Sequence, residues 1–168
     1  MNTLEQDYFG TEDSDISSAV GVFVMEASSK NEIFVVNAES VPFENLLKGG
    51  AENVKVRYLI DDRHGSNHFA LHIYTVGKNG RTPLDQHQYE HQVYVINGEG
   101  SLRMQRNGSV SRAVRAGDTL FIPSNAVHQF INEREEPLVF LCVKGNPNLY
   151  TTVSTTHSDI QDSDKDYC

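Results

Sequence analysis

Two glycine-bounded segments carry most of the information in this chain of 168 residues. Residues 80–98 read GRTPLDQHQYEHQVYVING, and residues 117–132 read GDTLFIPSNAVHQFIN. Between them they hold three histidines and the aspartate that precedes the first of these: His87, His91, His128 and Asp85. Imidazole and carboxylate groups on two separate segments are a known way to bind a divalent metal with coordination positions left open. The two segments therefore predict a metal site.

The spacing of these side chains is compatible with convergence on one point. Asp85, His87 and His91 are two and four positions apart, so on an extended strand they share a face. His128 follows a turn-like stretch at residues 123–125 and lies on a different predicted strand. In a closed barrel, a strand from the other half can bring this fourth residue to the same interior point.

Short β-rich runs between turn signals dominate the chain after residue 50. The predicted strands are 54–60, 68–76, 91–96, 101–105, 109–115, 119–122, 127–131 and 137–143. Asn107 and Gly108, between two alternating runs, are a strong signal for a two-residue hairpin. Many short strands without alternating helices favour an all-β sandwich or barrel.

The first 50 residues give fewer signals. We predict strands at 20–25 and 33–36, followed by one short helix. Ser40 is a candidate N-cap, Pro42 suits the first turn, and Gly49 and Gly50 follow Lys48 as a helix end. The expected helix is about two turns long.

The acidic charge of the chain is concentrated in its two ends. The net charge is -9; residues 1–18 hold five acidic and no basic side chains, and residues 151–168 hold four acidic and one basic, which leaves -1 for residues 19–150. We therefore predict disordered acidic tails at 1–18 and 151–168 around one folded domain at 19–150. No basic stripe is present, so nucleic acid is not an expected partner.

Cysteine usage and hydropathy bear on the compartment. Cys142 lies in an apolar run and reads as a small buried hydrophobic residue, whereas Cys168 ends a polar tail. No disulfide framework is indicated, which fits a reducing compartment. No apolar stretch has the length of a membrane span. The segment before the apolar residues 19–25 is acidic, whereas a secretory signal would be positively charged there. We expect a soluble cytoplasmic protein without a membrane partner.

At the two motif segments the chain resembles the cupin superfamily, whose small barrels carry two such motifs. His87 matches the second histidine of the first motif, His91 takes the place of its glutamate, and Gly98 follows after six residues. The resemblance covers residues 54–143 and implies a jelly-roll barrel, the double-stranded β-helix. It is greatest to a single-domain branch that binds a metal such as manganese through four histidines.

The second motif matches in register at four positions: Gly117, Pro123, His128 and Asn132. Asn125 replaces the inner glycine of the motif. This is a mild change, because asparagine tolerates a positive φ better than most residues.

Asp85 is the main departure, because that branch has its first histidine there. Asp85 is either a carboxylate ligand beside three imidazoles, or it is not a ligand. In the second case it lies behind the ligands or acts as a base, and it leaves a three-histidine site with open positions. A third alternative is a cupin that lost its metal together with this histidine. The ligand set suits divalent iron, manganese, nickel, copper or zinc.

The resemblance implies a metal-dependent enzyme acting on a small organic molecule, with oxidoreductase or dioxygenase chemistry first. Isomerase or lyase chemistry, with Asp85 transferring a proton, is the alternative. A barrel that binds a small molecule without turnover is a further alternative. The family often forms dimers through its early strands, so residues 20–25 are expected to supply the edge of a homodimer.

Other candidate residues have weaker arguments. His64, His68 and His157 read as ordinary histidines, and His72 either lines the interior or lies outside it. Glu90 is expected on the opposite strand face from the ligands. Three neighbours are candidates for orienting ligands or substrate: Tyr89, Tyr94 and Gln129.

Overall fold

The structure is a computed structural model that describes residues 33–105 and 110–150. This part of the chain contains nine strands and three short 3-10 helices. The strands are β1 (Glu44–Asn45), β2 (Glu52–Ile60), β3 (Phe69–Arg81), β4 (His91–Asn97), β5 (Glu99–Arg103), β6 (Ser111–Arg115), β7 (Thr119–Ile122), β8 (Gln129–Asn132) and β9 (Leu138–Gly145). The 3-10 helices are Ala38–Ser40, Asp62–His64 and Pro147–Leu149.

The strands form one antiparallel sheet in the order β6-β5-β8-β3-β9-β4-β7, with β2 also paired to β3 and β1 paired to β2. The long strand β3 connects the parts of this sheet. Its first residues pair with β2 and β9, and its last residues, Gly80 and Arg81, pair with β8. The sheet curls on itself, and the expectation of an all-β jelly roll is confirmed.

Alternation along the strands places the core on the concave face of the sheet. On β9 the inward positions are Leu138, Phe140 and Cys142, all at most 2% exposed. On β3 the inward positions include Tyr74 and Val76. Each large apolar side chain buried in this way contributes about 1.5–3 kcal/mol. The prediction of a buried, unbridged Cys142 is confirmed.

The predicted N-terminal helix is wrong. Residues 44–45 form β1, which pairs with β2 at Val56 and Lys55, and the amide of Leu46 donates to the Val54 carbonyl at 2.9 Å. A two-turn helix has little stability of its own, because nucleation costs more than so few hydrogen bonds return. Pairing with β2 satisfies the same backbone and also buries Leu46.

The strand predicted at 33–36 is also wrong, since these residues have no regular structure. Ile33 and Val35 are 93% and 85% exposed. The predicted strand at 20–25, the acidic tails, the hairpin at Asn107 and Gly108, and His157 lie outside the described residues. Within the described ranges, no helix has the length and apolar character needed to cross a membrane.

Gly98, the last residue of the first motif, has a steric reason to be glycine. It joins β4 to β5 with a φ of 77°, in the left-handed region that favours glycine. A Cβ at this position would overlap the carbonyl oxygen of Pro137. The tight turn and the close approach of a neighbouring chain segment both exclude a side chain.

The side chain of Asn132, the last residue of the second motif, forms hydrogen bonds with three backbone groups. It is fully buried, and its side-chain amide donates to the carbonyl oxygens of Val76 and Glu136 at 2.9 and 2.8 Å. Its side-chain oxygen accepts from the amide of Arg134 at 2.8 Å. This one side chain therefore connects β3 to the turn between β8 and β9.

We expect Asn132→Ala to lower the free energy of unfolding by about 2–4 kcal/mol, because it leaves the buried carbonyl of Val76 and two partly buried backbone groups without this partner. Urea denaturation followed by circular dichroism measures this loss. Glu133→Ala, at the exposed neighbouring position, is the control and should change stability by less than about 0.5 kcal/mol. Equal effects of the two substitutions would contradict this role of Asn132.

Candidate metal centre

Backbone hydrogen bonds join the two motif segments. The amide of Asp85 donates to the carbonyl of His128, and the amide of His128 donates to the carbonyl of Asp85, both at 3.0 Å. The amide of Asn125 donates to the carbonyl of His87 at 2.7 Å. Asn125 has a φ of 62°, so it takes the conformation expected of a residue that replaces glycine. The two segments, distant in sequence, meet along these bonds.

Backbone carbonyls orient two of the three histidine rings. Nδ1 of His87 donates to the carbonyl of Tyr89, and Nδ1 of His128 donates to the carbonyl of Ala126, each at 2.9 Å. A carbonyl only accepts, so the ring proton of each histidine lies on Nδ1 and the lone pair on Nε2. Nδ1 of His91 lies 3.5 Å from Sγ of Cys142.

The three histidines form a compact cluster. One nitrogen from each of His87, His91 and His128 lies within 4.8 Å of the other two. The Nε2 atoms of His87 and His91 are buried and have no hydrogen-bond partner. A buried polar atom without a partner costs about 1–3 kcal/mol, and a divalent cation between the rings removes that cost. The donor set and its orientation therefore fit a metal ion.

Aromatic packing restrains the same rings. The ring of Tyr89 stacks on that of His87, with centroids 3.6 Å apart and planes 6° from parallel. His87 stacks in turn on His91 at 4.6 Å, and His128 approaches both edge-on at 5.0 Å. Tyr89, a sequence candidate for orienting ligands, thus contacts His87 through both its ring and its carbonyl.

Burial keeps the histidines neutral. Burial, with a smaller contribution from the neighbouring His128, lowers the pKa of His87 to about 4 and that of His91 to about 2. The pKa of His128 is also lowered, again chiefly by burial. Because only a neutral imidazole binds a metal, these rings need lose no proton to do so at neutral pH.

Asp85 lies outside the three-histidine group. Its carboxylate oxygens are 3.0 and 3.3 Å from Nζ of Lys48. Asp85 and Lys48 line a cavity of about 40 Å³ together with His91 and His128. The antiparallel bridge between Asp85 and His128 makes their side chains leave on the same face. The structure therefore places a lysine-paired carboxylate beside the cluster.

Lys48 is the residue of this site that sequence reasoning missed. The capping pattern around it favoured a helix end, and no motif pointed to a lysine at residue 48. Its contact with Asp85 arises from the chain segment after β1, which packs onto the open end of the barrel. Only the tertiary fold brings these two charges together.

The remaining candidates have ordinary surroundings. Glu90 and His68 are exposed, Tyr94 is 47% exposed, and Nδ1 of His64 lies 3.1 Å from the Asp61 carboxylate. The side chain of Gln129 is buried and donates to the Thr82 carbonyl at 2.7 Å. His72, for which the sequence left an interior and an outer position open, lies in the interior, since it is 2% exposed.

Comparisons with known proteins agree with this geometry. Residues 72–144 match the family described as Cupin_2, the cupin domain. The solved structure of the polyketide cyclase RemF from Streptomyces resistomycificus superimposes with a TM-score of 0.63 at 30% identity, over 68% of this chain and 80% of that one. The chain belongs to the cupin superfamily.

Two further matches are to sequences or structures from Rhodospirillum rubrum. A solved cupin-2 domain has a TM-score of 0.56 and 25% identity over 67% of this chain and 74% of its own. The 1-methylthio-D-xylulose 5-phosphate methylsulfurylase is 36% identical over 73 residues, which are 44% of this chain. The match spans 45% of that curated relative, less than half of its length.

We expect the metal-free cupin to lose stability as the pH falls below about 6.5. The pKa of His72, lowered by burial to about 3, lies below that of an unfolded histidine, as do those of His87 and His91. The unfolded chain therefore takes up protons that the folded chain does not, and the stabilisation present above pH 6.5 declines by about 1.4 kcal/mol per pH unit for each such histidine. Urea denaturation at a series of pH values measures the slope.

His72→Phe should lower the number of protons taken up on unfolding, which sets this slope, by about one, because phenylalanine does not titrate. The matched control is His68→Phe at an exposed position, which should leave the slope unchanged. A flat stability profile between pH 7 and about 4.5 would contradict the neutral state of the buried rings.

Proposed function

We propose that this cupin is a metal-dependent enzyme that catalyses proton transfer on a small organic molecule, in the isomerase, lyase or cyclase class. The observation that carries the proposal is the three-histidine cluster, of which His91 and His128 line one cavity together with the Asp85–Lys48 ion pair. Neutral ligands and an acid–base group that is not one of them are the two parts that such a reaction needs.

The residues that would hold the metal are His87, His91 and His128, through Nε2. A bound divalent cation, of iron, manganese, nickel, copper or zinc, supplies Lewis acidity that polarises a carbonyl or hydroxyl group of the substrate. Three protein ligands leave coordination positions for that group. The chain itself supplies ring orientation through the Tyr89 and Ala126 carbonyls.

Asp85 is the proposed acid–base residue. Its carboxylate faces the same cavity as His91 and His128 and is within reach of a substrate atom placed there. Lys48 contacts both carboxylate oxygens, which restrains the side chain. We therefore assign Asp85 to proton transfer and Lys48 to positioning.

The relatives support action on small organic molecules. RemF is a polyketide cyclase, and the relative from Rhodospirillum rubrum is a methylsulfurylase of a sugar phosphate derivative. Two different activities on related barrels mean that the fold alone names no substrate. Both names describe enzymes that convert a small molecule, and this shared feature supports the proposal.

Oxidoreductase or dioxygenase chemistry is the second candidate, and the three-histidine ligand set favours it. A site with three imidazoles and open positions suits a metal that binds a chelated substrate and dioxygen together. Oxygen uptake when a substrate is added would favour this candidate. Turnover without any change in oxygen concentration would favour proton transfer.

The protein expressed in metal-supplemented medium should contain roughly stoichiometric divalent metal by elemental analysis. His128→Ala removes one of three ligands, so its metal content should fall to background. His68→Ala, at an exposed position, is the control and should keep the wild-type content. A metal-free wild-type protein would favour a cupin that binds small molecules without turnover.

Asp85→Asn separates the two roles considered for this residue. If Asp85 transfers a proton and is not a ligand, the variant keeps its metal, while kcat on a substrate falls by about 100-fold or more. Elemental analysis and steady-state kinetics measure the two effects. Loss of metal in Asp85→Asn together with metal retention in His68→Ala would make Asp85 a ligand and would contradict the proposed role.

A further inference from the structure

A second cavity, of about 380 Å³, lies on the same concave face of the sheet as the metal centre. Its size falls within the range of about 300–1,000 Å³ that is usual for small-molecule sites. It is formed by the facing parts of β2, β3 and β9, with the 3-10 helix Asp62–His64 at its rim. It shares no residue with the cavity that holds Asp85 and the cluster histidines.

His72 forms part of the cavity wall and has an unsatisfied ring nitrogen. The residue is 2% exposed, and its Nε2 is buried without a hydrogen-bond partner. Its Nδ1 lies 3.5 Å from the hydroxyl oxygen of Tyr74, at the limit of hydrogen-bond distance. A buried polar nitrogen without a partner, on a residue that lines a cavity, points to a ligand that supplies one.

Lys144 brings a positive charge to the same cavity. It is the last inward residue of the alternating series on β9 and is 5% exposed. Lysine is seldom buried to this extent, and its ammonium group has three N–H donors. Its charge contributes to the lowered pKa values of both His72 and His91, so it lies near both.

Aromatic side chains line another part of the cavity. Tyr58 packs edge-on against His72, with ring centroids 4.8 Å apart. Phe69, at the start of β3, is 59% exposed although it is a large apolar residue. A flat apolar group bound in the cavity would cover apolar surface of these side chains that is otherwise in contact with water.

Acidic residues and Arg63 line the cavity together with Lys144. Asp61 is paired with Arg63 at 2.7 Å, and Glu44 and Asp62 are exposed. Water and salt screen exposed charges within about 8 Å at physiological ionic strength. The buried ammonium acts in a medium of lower dielectric, so its attraction for an anion at the cavity floor is stronger.

The two cavities are adjacent along the strands. Tyr74 and Cys142 line the cavity of the metal centre, and His72 and Lys144, two residues away on β3 and β9, line the larger one. Two residues of a strand span about 7 Å. The metal-centre cavity of about 40 Å³ has room for an ion and a few waters only. An organic substrate needs additional space, and the larger cavity begins one side-chain layer away.

We propose that the cavity lined by Tyr58, His72 and Lys144 binds an anionic oxygen group, such as a carboxylate, of a small molecule with a flat apolar body. Lys144 pairs with the anion, and the imidazole of His72, with its proton on Nε2, donates to it. We further propose that this molecule is the substrate of the metal centre, a step that rests on the proposed function.

The test uses the full chain stripped of metal by a chelator, so that no probe binds through a metal ion. The probes are benzoate, benzamide, which is its neutral isostere, and inorganic phosphate, titrated at about pH 7.5 by calorimetry and by backbone amide NMR shifts. Benzoate should bind at least about tenfold more tightly than benzamide, because only the anion pairs with Lys144. Phosphate should bind more weakly than benzoate, because it has no apolar body.

Two outcomes of these titrations would overturn the proposal. One is equal affinity for benzoate and benzamide. The other is a set of benzoate-induced shifts centred on His87, His91 and His128 instead of β3 and β9 around Ala70 and Lys144. Tighter binding of phosphate than of benzoate would overturn the apolar part of the assignment.

Substitutions of Lys144 test whether this residue supplies the positive charge of the anion site. Lys144→Met removes it and should abolish the preference for benzoate over benzamide, whereas Lys144→Arg keeps a cation and should preserve most of that preference. Lys55→Met, at an exposed position on β2, is the matched control and should behave as wild type. An unchanged preference in Lys144→Met would overturn the proposal, and thermal unfolding of each variant checks that it is folded.

The outcomes also separate this inference from the proposed enzyme activity. If the chain binds benzoate selectively but the protein from metal-supplemented medium contains no metal, the anion site is supported and the metal-dependent reaction is contradicted. If that protein contains stoichiometric metal but the chain does not prefer benzoate, the anion site is contradicted and the metal centre is supported.

Discussion

The antiparallel bridge between Asp85 and His128 is the interaction on which the chemistry of this cupin depends. Two backbone hydrogen bonds of 3.0 Å bring a segment that holds His87 and His91 against one that holds His128. These bonds lie a few residues beyond the end of β3, whose last residues, Gly80 and Arg81, pair with β8. The side chain of Asn132 makes three further hydrogen bonds that connect β3 to the turn between β8 and β9. Backbone pairing between the two segments therefore sets the positions of the three histidines.

Burial has two opposite consequences for the histidine cluster. It lowers the pKa of each ring, so that the neutral form able to bind a metal is present at neutral pH. It also leaves two Nε2 atoms without partners, which costs stability in the metal-free chain. A metal ion would remove that cost, so binding and folding are coupled, and chelation should destabilise the protein. The stacking of Tyr89 on His87 adds a geometric restraint that does not depend on the metal.

Strand alternation arranges both cavities. On β9 the inward series begins with Leu138 and Phe140 in the apolar core, continues to Cys142 beside His91, and ends at Lys144 in the larger cavity. The barrel interior therefore changes from apolar to charged within one strand. Burial raises the pKa of the Cys142 thiol to about 12, so this residue is a neutral spacer between the two sites and not a thiolate ligand. A substrate with one anionic end and an apolar body matches this gradient.

The sequence by itself determined the fold class, the spacing of the two motifs and the left-handed turn at Asn125, because alternation and turn chemistry are local properties of the chain. The sequence also contains Lys144, which lies at an inward position of β9 and from which no prediction was drawn. It misled at residues 40–48, where capping residues favoured a helix and pairing with β2 produced β1. The Asp85–Lys48 pair and the cavity around His72 and Lys144 were decided by the tertiary structure alone. Both join residues distant in sequence, and no local pattern encodes which side chains a curling sheet brings together.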